Sequence, residues 1–425
     1  MALKTHLALM SITTVSRIAV GLLTFSVVAR FLGPEAFGVL MFWMSVATLL
    51  SLMVNYGMTP YILKEIGTSP QSTENLLNES LTAKLLLAAC LLIIVAVTSV
   101  AVADSHRGVL LYLLVAAISD SFVEFFGAGF RARSKFAIET RIATATAFSH
   151  AAIVAGVVAI YPTPLAAALA YACSRILVLS ITAILISRYV SPLRLAPIGQ
   201  ALQRLRHSAA YAIDFGFQSL FGQIDSVVLN HFIGTAAVGL YQAGMRVFQG
   251  GVSAAQVLAN VFLPRAASYS ADTDAFAREC VRVQAAFVAV GTAFGLTLAI
   301  FSDVIVGVLF GSAYAELGRY FPLFGMLFFV RFAAAAWGVV LTAAGEQKYR
   351  TYATIFHWAI VAVMVPFLVP ESGIAGWLIS LIVANIVLAC LYALRGARRV
   401  ARPGLTILAT SLCAAVFVPL VWSGR

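Results

Sequence analysis

Gln242, Arg246, Gln249, Ser253, Gln256 and Asn260 follow one another at spacings of four, three, four, three and four. That spacing keeps them on one face of an α-helix, while Val247, Phe248, Val252, Val257 and Leu258 point elsewhere. A ladder of amides around a guanidinium suits an oxyanion with hydroxyl-rich neighbours. Arginine stays charged at any accessible pH and binds phosphate oxygens in pairs, and amides offer adaptable hydrogen bonds. Arg17, Arg175 and Arg331 extend the same chemistry, and all lie within apolar segments.

Acidic groups accompany them. Asp120 and Glu124 are four residues apart and share a helix face, and Asp214 and Asp225 lie near one face of a later segment. Either pair could hold H⁺ or Na⁺ as a coupling ion or act as counter-ion to the arginines. Exposing these four acids and four arginines to lipid would cost roughly 20 kcal/mol or more. They must therefore pair or line an aqueous cavity. His150 and His357 read as hydrogen-bonded packing residues rather than proton carriers.

The elements that carry these groups are membrane spans. The chain has 425 residues, 61% hydrophobic and only 11% charged. Its apolar runs of about 20 residues match the roughly 30 Å of a bilayer's hydrocarbon. About thirteen spans are expected, near residues 7–31, 37–60, 81–103, 108–130, 141–161, 164–188, 209–232, 236–262, 281–301, 321–343, 351–369, 373–394 and 405–423. The net charge of +11 follows the positive-inside pattern rather than a nucleic-acid surface. With a cytoplasmic N-terminus, the inner connections carry Lys64 and Lys84, then Arg131, Arg133, Lys135 and Arg141, then Arg188, Arg194, Arg204 and Arg206, and later Arg395, Arg398, Arg399 and Arg402. Cys90, Cys173, Cys280, Cys390 and Cys413 stand singly, so neither a disulfide framework nor a metal site is expected. No Walker loop, GxSxG or HExxH motif is present, no loop is large enough for a catalytic domain, and the chain is expected not to be an enzyme.

The chain also repeats itself. At an offset of 201, RFLGPEAFGVL from Arg30 lies on HFIGTAAVGLY from His231, with Gly33 on Gly234. The same offset places Ser45 on Arg246, Thr48 on Gln249, Asn55 on Gln256 and Thr59 on Asn260. Upstream, Thr13 falls on Asp214, Arg17 on Gln218, Gly21 on Gly222 and Thr24 on Asp225. The expected fold is an all-α polytopic membrane protein, two six-helix bundles related by a pseudo-two-fold along the membrane normal, plus an extra C-terminal span. The expected divisions are a first bundle at 1–190, a cytoplasmic linker at 191–208, a second bundle at 209–395 and an additional transmembrane helix at 396–425.

VVARFLGPEAFGVL, NYGMTPYILKEIG, DSVVLNHFIGTAAVGLYQAGMRVFQGGVSAAQVLANVFLPRAAS, LFGSAYAELGRYFPLFGMLFFVR and LTAAGEQKY, in this order, resemble the polysaccharide and O-antigen flippases of the multidrug/oligosaccharidyl-lipid/polysaccharide exporter superfamily. The resemblance covers nearly all of residues 10–395. It implies a flippase that moves an undecaprenyl-diphosphate-linked oligosaccharide across a bacterial inner membrane by alternating access, for O-antigen, capsule or exopolysaccharide synthesis. Arg17 and Arg246 match by position the cavity arginines that hold the lipid diphosphate in relatives. The expected partners are the lipid-linked oligosaccharide, membrane lipids and a glycan polymerase or other assembly protein. No cofactor is expected beyond a coupling ion. The alternatives are a cation-coupled multidrug exporter of the same fold and a non-transporting scaffold for glycan assembly.

Overall fold

The computed structural model describes residues 2–68, 73–101, 104–133, 135–220, 222–269, 273–397 and 410–423, with Thr13 and Gln218 described as backbone only. Among these residues the regular structure is all helical, without strands, and residues 191–197 form a non-helical connection. The helices are α1 (Ala2–Asn55), α2 (Met58–Thr68), α3 (Thr73–Thr98), α4 (Asp104–Ala132), α5 (Phe136–Ile160), α6 (Pro164–Tyr189) and α7 (Ile198–Leu220), followed by α8 (Ile224–Ile233), α9 (Thr235–Ser268), α10 (Thr273–Ile300), α11 (Ser302–Leu309), α12 (Phe321–Ala343), α13 (Gln347–Gly396) and α14 (Phe417–Ser423). Nine helices of the described residues are long and apolar enough to cross a membrane. Two of these run to 50 residues, Arg17–Ile66 and Gln347–Gly396. Each contains a glycine break and accounts for two expected spans, the first and second at Gly33 and the eleventh and twelfth at Gly373.

The duplication is written in the backbone. Gly33 has φ 75° and ψ 169°, and Gly234, its counterpart at the offset of 201, has φ 86° and ψ 177°. Only glycine enters this region readily, because a Cβ there meets its own backbone. Both residues sit where one span hands over to the next, and Pro34 follows Gly33 at the first position of the new helix.

Two expectations need correction. The seventh span, expected as one helix over 209–232, starts earlier and is broken in two: α7 absorbs most of the polar linker and ends at Leu220, and α8 begins at Ile224. The Gly222 and Gln223 amides donate to the Ser219 and Leu220 carbonyls at 3.1 Å each, so the last turn tightens rather than continues. Asp225 then takes the Ser226 amide on Oδ1 at 2.7 Å, satisfying one of the free amides at the start of α8. Lys84, expected in a cytoplasmic connection, lies within α3 and is 0% exposed. Arg398, Arg399 and Arg402, with the rest of residues 398–409 and 424–425 of the additional helix expected over 396–425, lie outside the described residues.

By its internal contacts the chain divides into two units, Met1–Asn230 and His231–Arg425. The division falls after α7, whereas the expected bundle boundary falls before it. In the first unit α7 is held against α3, with Arg204 paired to Glu79 and hydrogen-bonded to Tyr61 at 3.3 Å. The segment before α7 is fastened to the same helix: the Arg194 amide donates to Asn78 Oδ1 and the Ala196 amide to Thr82 Oγ1, each at 2.9 Å. In the second unit α12 is the central helix, and 83% of its apolar window is buried. Phe328 stacks on Phe332 at 4.3 Å and meets Phe294 at 4.4 Å, while Gly295 of α10 and Gly325 of α12 let their backbones touch. In a lipid-facing bundle such small-residue contacts replace the hydrophobic effect as the source of packing.

The two handover glycines provide a clean test, because a Cβ on either would have no neighbour within 4 Å. Gly33→Ala and Gly234→Ala should each destabilise the purified protein by about 1–3 kcal/mol through backbone strain alone. Gly325→Val, which drives a side chain into the Gly295 carbonyl, should cost at least as much. Thermal unfolding in detergent reads all three, and unchanged midpoints for the alanine variants would contradict the strained-backbone account.

Candidate functional site

The first unit holds a half-open cavity of about 320 Å³ lined largely by polar residues. The second span contributes Thr48, Ser51, Leu52 and Asn55, α4 contributes Asp120, Ser121 and Glu124, and the end of α7 with the turn after it contributes Phe215, Ser219 and Gln223. Thr48 and Asn55 belong to the polar face recognised by the duplication, so that face lines a cavity here. The Thr48 and Ser51 hydroxyls donate back to the carbonyls of Met44 and Thr48 at 2.8 and 2.7 Å. Their oxygens are thereby left as acceptors. Asn55 Nδ2 donates to Glu124 Oε2 at 3.3 Å.

The charges of this wall are matched. Arg175 on α6 reaches Asp120 at 3.2 Å, so these two charges meet within this unit. Behind the wall, Lys84 Nζ donates to Ser121 Oγ at 2.7 Å and to the Val54 carbonyl at 3.0 Å, and lies over the rings of Phe122 and Phe125 at 5.3 and 5.6 Å. Sequence reasoning missed this lysine as a site residue. The signal was its place at the head of the apolar run that begins at Leu85, which the loop-charge pattern explained away.

Arg17 is exposed, and its charge acts on Glu139 in the first turn of α5. Glu139 also pairs with Arg131 at 3.2 Å, so two arginines share one carboxylate. Asp214 is exposed on α7, and Asp225 is buried at the start of α8.

In the second unit the ladder on α9 runs from a buried end to an open one. Gln242 is 6% exposed, Arg246 and Ser253 are half-buried, and Gln249, Gln256 and Asn260 are exposed, with Gln256 Nε2 donating to Asn260 Oδ1 at 3.0 Å. Arg331 is exposed on α12 and stacks over Phe248 of α9 at 5.6 Å. A guanidinium over an aromatic face gains about 0.5–2 kcal/mol and stays free to bind an anion on its other side. The histidines are packing residues, as expected: His150 Nδ1 shares a hydrogen bond of 2.7 Å with Ser174, and His357 bonds to the Ala384 backbone. Among the described residues, no group of three or more His, Cys, Asp or Glu is placed to hold a metal ion.

The sequence matches the model of the polysaccharide biosynthesis protein family over residues 2–270. The chain belongs to that family. A comparison with curated proteins gave no match. Among solved structures, this polysaccharide biosynthesis protein is similar to the lipid II flippase MurJ in an inward closed conformation, with a TM-score of 0.73 and 12% identity over 98% of this chain and 99% of that chain. It is also similar to an inward-facing multidrug resistance MATE family transporter of the MOP superfamily, with a TM-score of 0.65 and 14% identity over 92% of this chain and 95% of that one. A mutant of the Vibrio cholerae MATE transporter VcmN gives 0.54 and 12% over 91% and 93%. The family member described here is therefore an all-helical, multi-pass membrane protein with the fold of these transporters.

The Asp120–Arg175 pair is part-exposed, at 48% and 28% for the two side chains, so its strength is limited by solvent. A double-mutant cycle of Asp120→Asn and Arg175→Gln, followed by thermal unfolding, should give a coupling of about 0.2–1 kcal/mol. A coupling several times larger would mean that the pair is sealed from water.

Proposed function

We propose that this protein is a flippase that carries an undecaprenyl-diphosphate-linked oligosaccharide from the cytoplasmic to the periplasmic leaflet of a bacterial inner membrane by alternating access. The N-terminus lies in the cytoplasm. The observation that carries this reading is Arg331, an exposed guanidinium on the most deeply packed span of the second unit. An arginine exposed on such a span cannot be left to hydrocarbon, and it needs an aqueous, anion-accepting surface. Its neighbour Phe248 lies on the same helix as Arg246 and the amide ladder. Family membership in polysaccharide biosynthesis and the fold shared with a lipid II flippase support a glycolipid as the cargo.

In this reading Arg17, Arg246 and Arg331 attract the diphosphate, and Gln242, Gln249, Ser253, Gln256 and Asn260 offer hydrogen bonds to sugars. Arg175 acts through Asp120. Binding energy enters the cycle only as differential affinity for its conformations, and adaptable amides allow one surface to serve several sugar geometries. A coupling ion, taken here as H⁺, belongs with Asp120, Glu124, Asp214 and Asp225. A multidrug exporter of cationic compounds is less well served, since Asp120 already carries an arginine.

Arg246→Glu and Arg331→Glu should each abolish export of the surface glycan and leave its lipid-linked precursor on the cytoplasmic leaflet, with normal amounts of the protein in the membrane. Chromatography of extracted glycolipids and immunoblotting of the membrane fraction measure both. Wild-type export by both variants would sink the flippase reading and favour a scaffold, for which loop substitutions and not these would matter.

A further inference from the structure

The second span ends differently in the two halves. α1 stops at Asn55, and the chain passes through Tyr56 at φ 47° and Gly57 at φ 60° before α2 begins. At the offset of 201 these residues fall on Val257 and Leu258, and there α9 runs on without a break to Ser268. The last carbonyls of a helix lack intrahelical donors and carry the negative end of its dipole. At α1 one of them, the Val54 oxygen, is capped by Lys84 Nζ. On α10 the same offset places Ala285 where α3 has Lys84. The break and the lysine occur together in the first half and are both missing from the second.

Lys84 is 0% exposed, and its hydrogen-bond partners are a carbonyl and a hydroxyl, with no carboxylate among the described residues at ion-pair distance. The acid whose charge acts on it is Glu124, one turn along α4 from Ser121. Ser121 and Glu124 both line the cavity, as does Asn55, which is 5% exposed and whose Oδ1 has no donor. The wall is thus rich in acceptors. Its two carboxylates, Asp120 and Glu124, are balanced by two cations, Arg175 and Lys84, so it has no net negative charge with which to recruit a third.

We propose that Lys84 is a tethered counter-cation: its ammonium group occupies the place that a free monovalent cation would take beside Val54, Ser121 and Glu124, and in doing so it fixes the broken end of the second span. The lysine is a positioning residue for the cavity wall. Removing its side chain uncovers a latent site for Na⁺ or a small alkylammonium ion, bounded by the Val54 carbonyl and the Ser121 hydroxyl and held in the field of the Glu124 carboxylate. The inference goes beyond the flippase reading and does not depend on the cargo.

The test uses the full-length purified protein in detergent, with thermal unfolding followed in choline chloride, sodium chloride and ethylammonium chloride at equal ionic strength. The wild-type midpoint should be the same in all three salts. Lys84→Ala should unfold several degrees lower in choline, and sodium or ethylammonium should raise its midpoint in a concentration-dependent way, as a ligand of the folded state does. Adding Glu124→Gln should remove that rescue. A Lys84→Ala deficit that is equal in all three salts, or a wild-type protein that sodium already stabilises, would overturn the proposal. If Lys84→Ala fails to fold, Lys84→Met keeps the bulk of the side chain. Its deficit should shrink when Glu124→Gln is added, and a deficit that grows instead would equally overturn it.

Discussion

An ionised side chain in hydrocarbon costs several kcal/mol unless it meets an opposite charge, a set of hydrogen bonds or water. That constraint organises this molecule. Asp120 is held by Arg175, Glu139 by Arg131 with Arg17 nearby, and Lys84 by a carbonyl, a hydroxyl and two aromatic faces. Arg331 solves the problem in another way, keeping an accessible guanidinium that stacks over Phe248 on a helix whose other sides are packed. Each solution draws on residues from different spans. The helices are therefore positioned by where their charges can be satisfied as well as by how their apolar faces fit.

Duplication supplied the frame on which these charges were placed. The handover glycines, Gly33 and Gly234, retain nearly the same backbone geometry, because no other residue adopts it without strain. The helices that follow have diverged. The first copy stops at Asn55 and turns, with Gly57 so close to the backbone of Tyr211 that no side chain could fit between them. The second copy continues as one helix and carries the arginine and the longer amides. A common polar face thus became an acid-lined, internally neutralised wall in one unit and a cationic, amide-rich surface in the other.

Much of this was legible in the sequence because it is local or periodic. The spans, the polar face on α9, the offset of 201 and the resemblance to polysaccharide flippases all follow from patterns that need no knowledge of which helix touches which. The glycine at each handover was visible as an aligned pair. The packing role of His150, a lone histidine in an apolar run, could be anticipated from base chemistry.

What sequence could not decide were the partners of each charge. Hydropathy treats a lysine near the start of a span as a loop residue, and whether Lys84 faces lipid headgroups or the interior depends on α1 and α4, which lie about 30 residues away on either side in the chain. Nothing in the spacing of Arg17 along the chain points to Glu139, yet folding brings that carboxylate into its field. The break between α7 and α8 was hidden because each piece is apolar enough to read as part of one span, and the turn depends on hydrogen bonds at Ser219 and Leu220. The sequence by itself determined that this is a duplicated helical membrane protein with charges to satisfy inside the bilayer, because length, periodicity and composition are properties of the chain. Only the tertiary structure decided which charges neutralise one another and which remain open, because electrostatic pairing acts over a few ångströms between residues far apart in sequence.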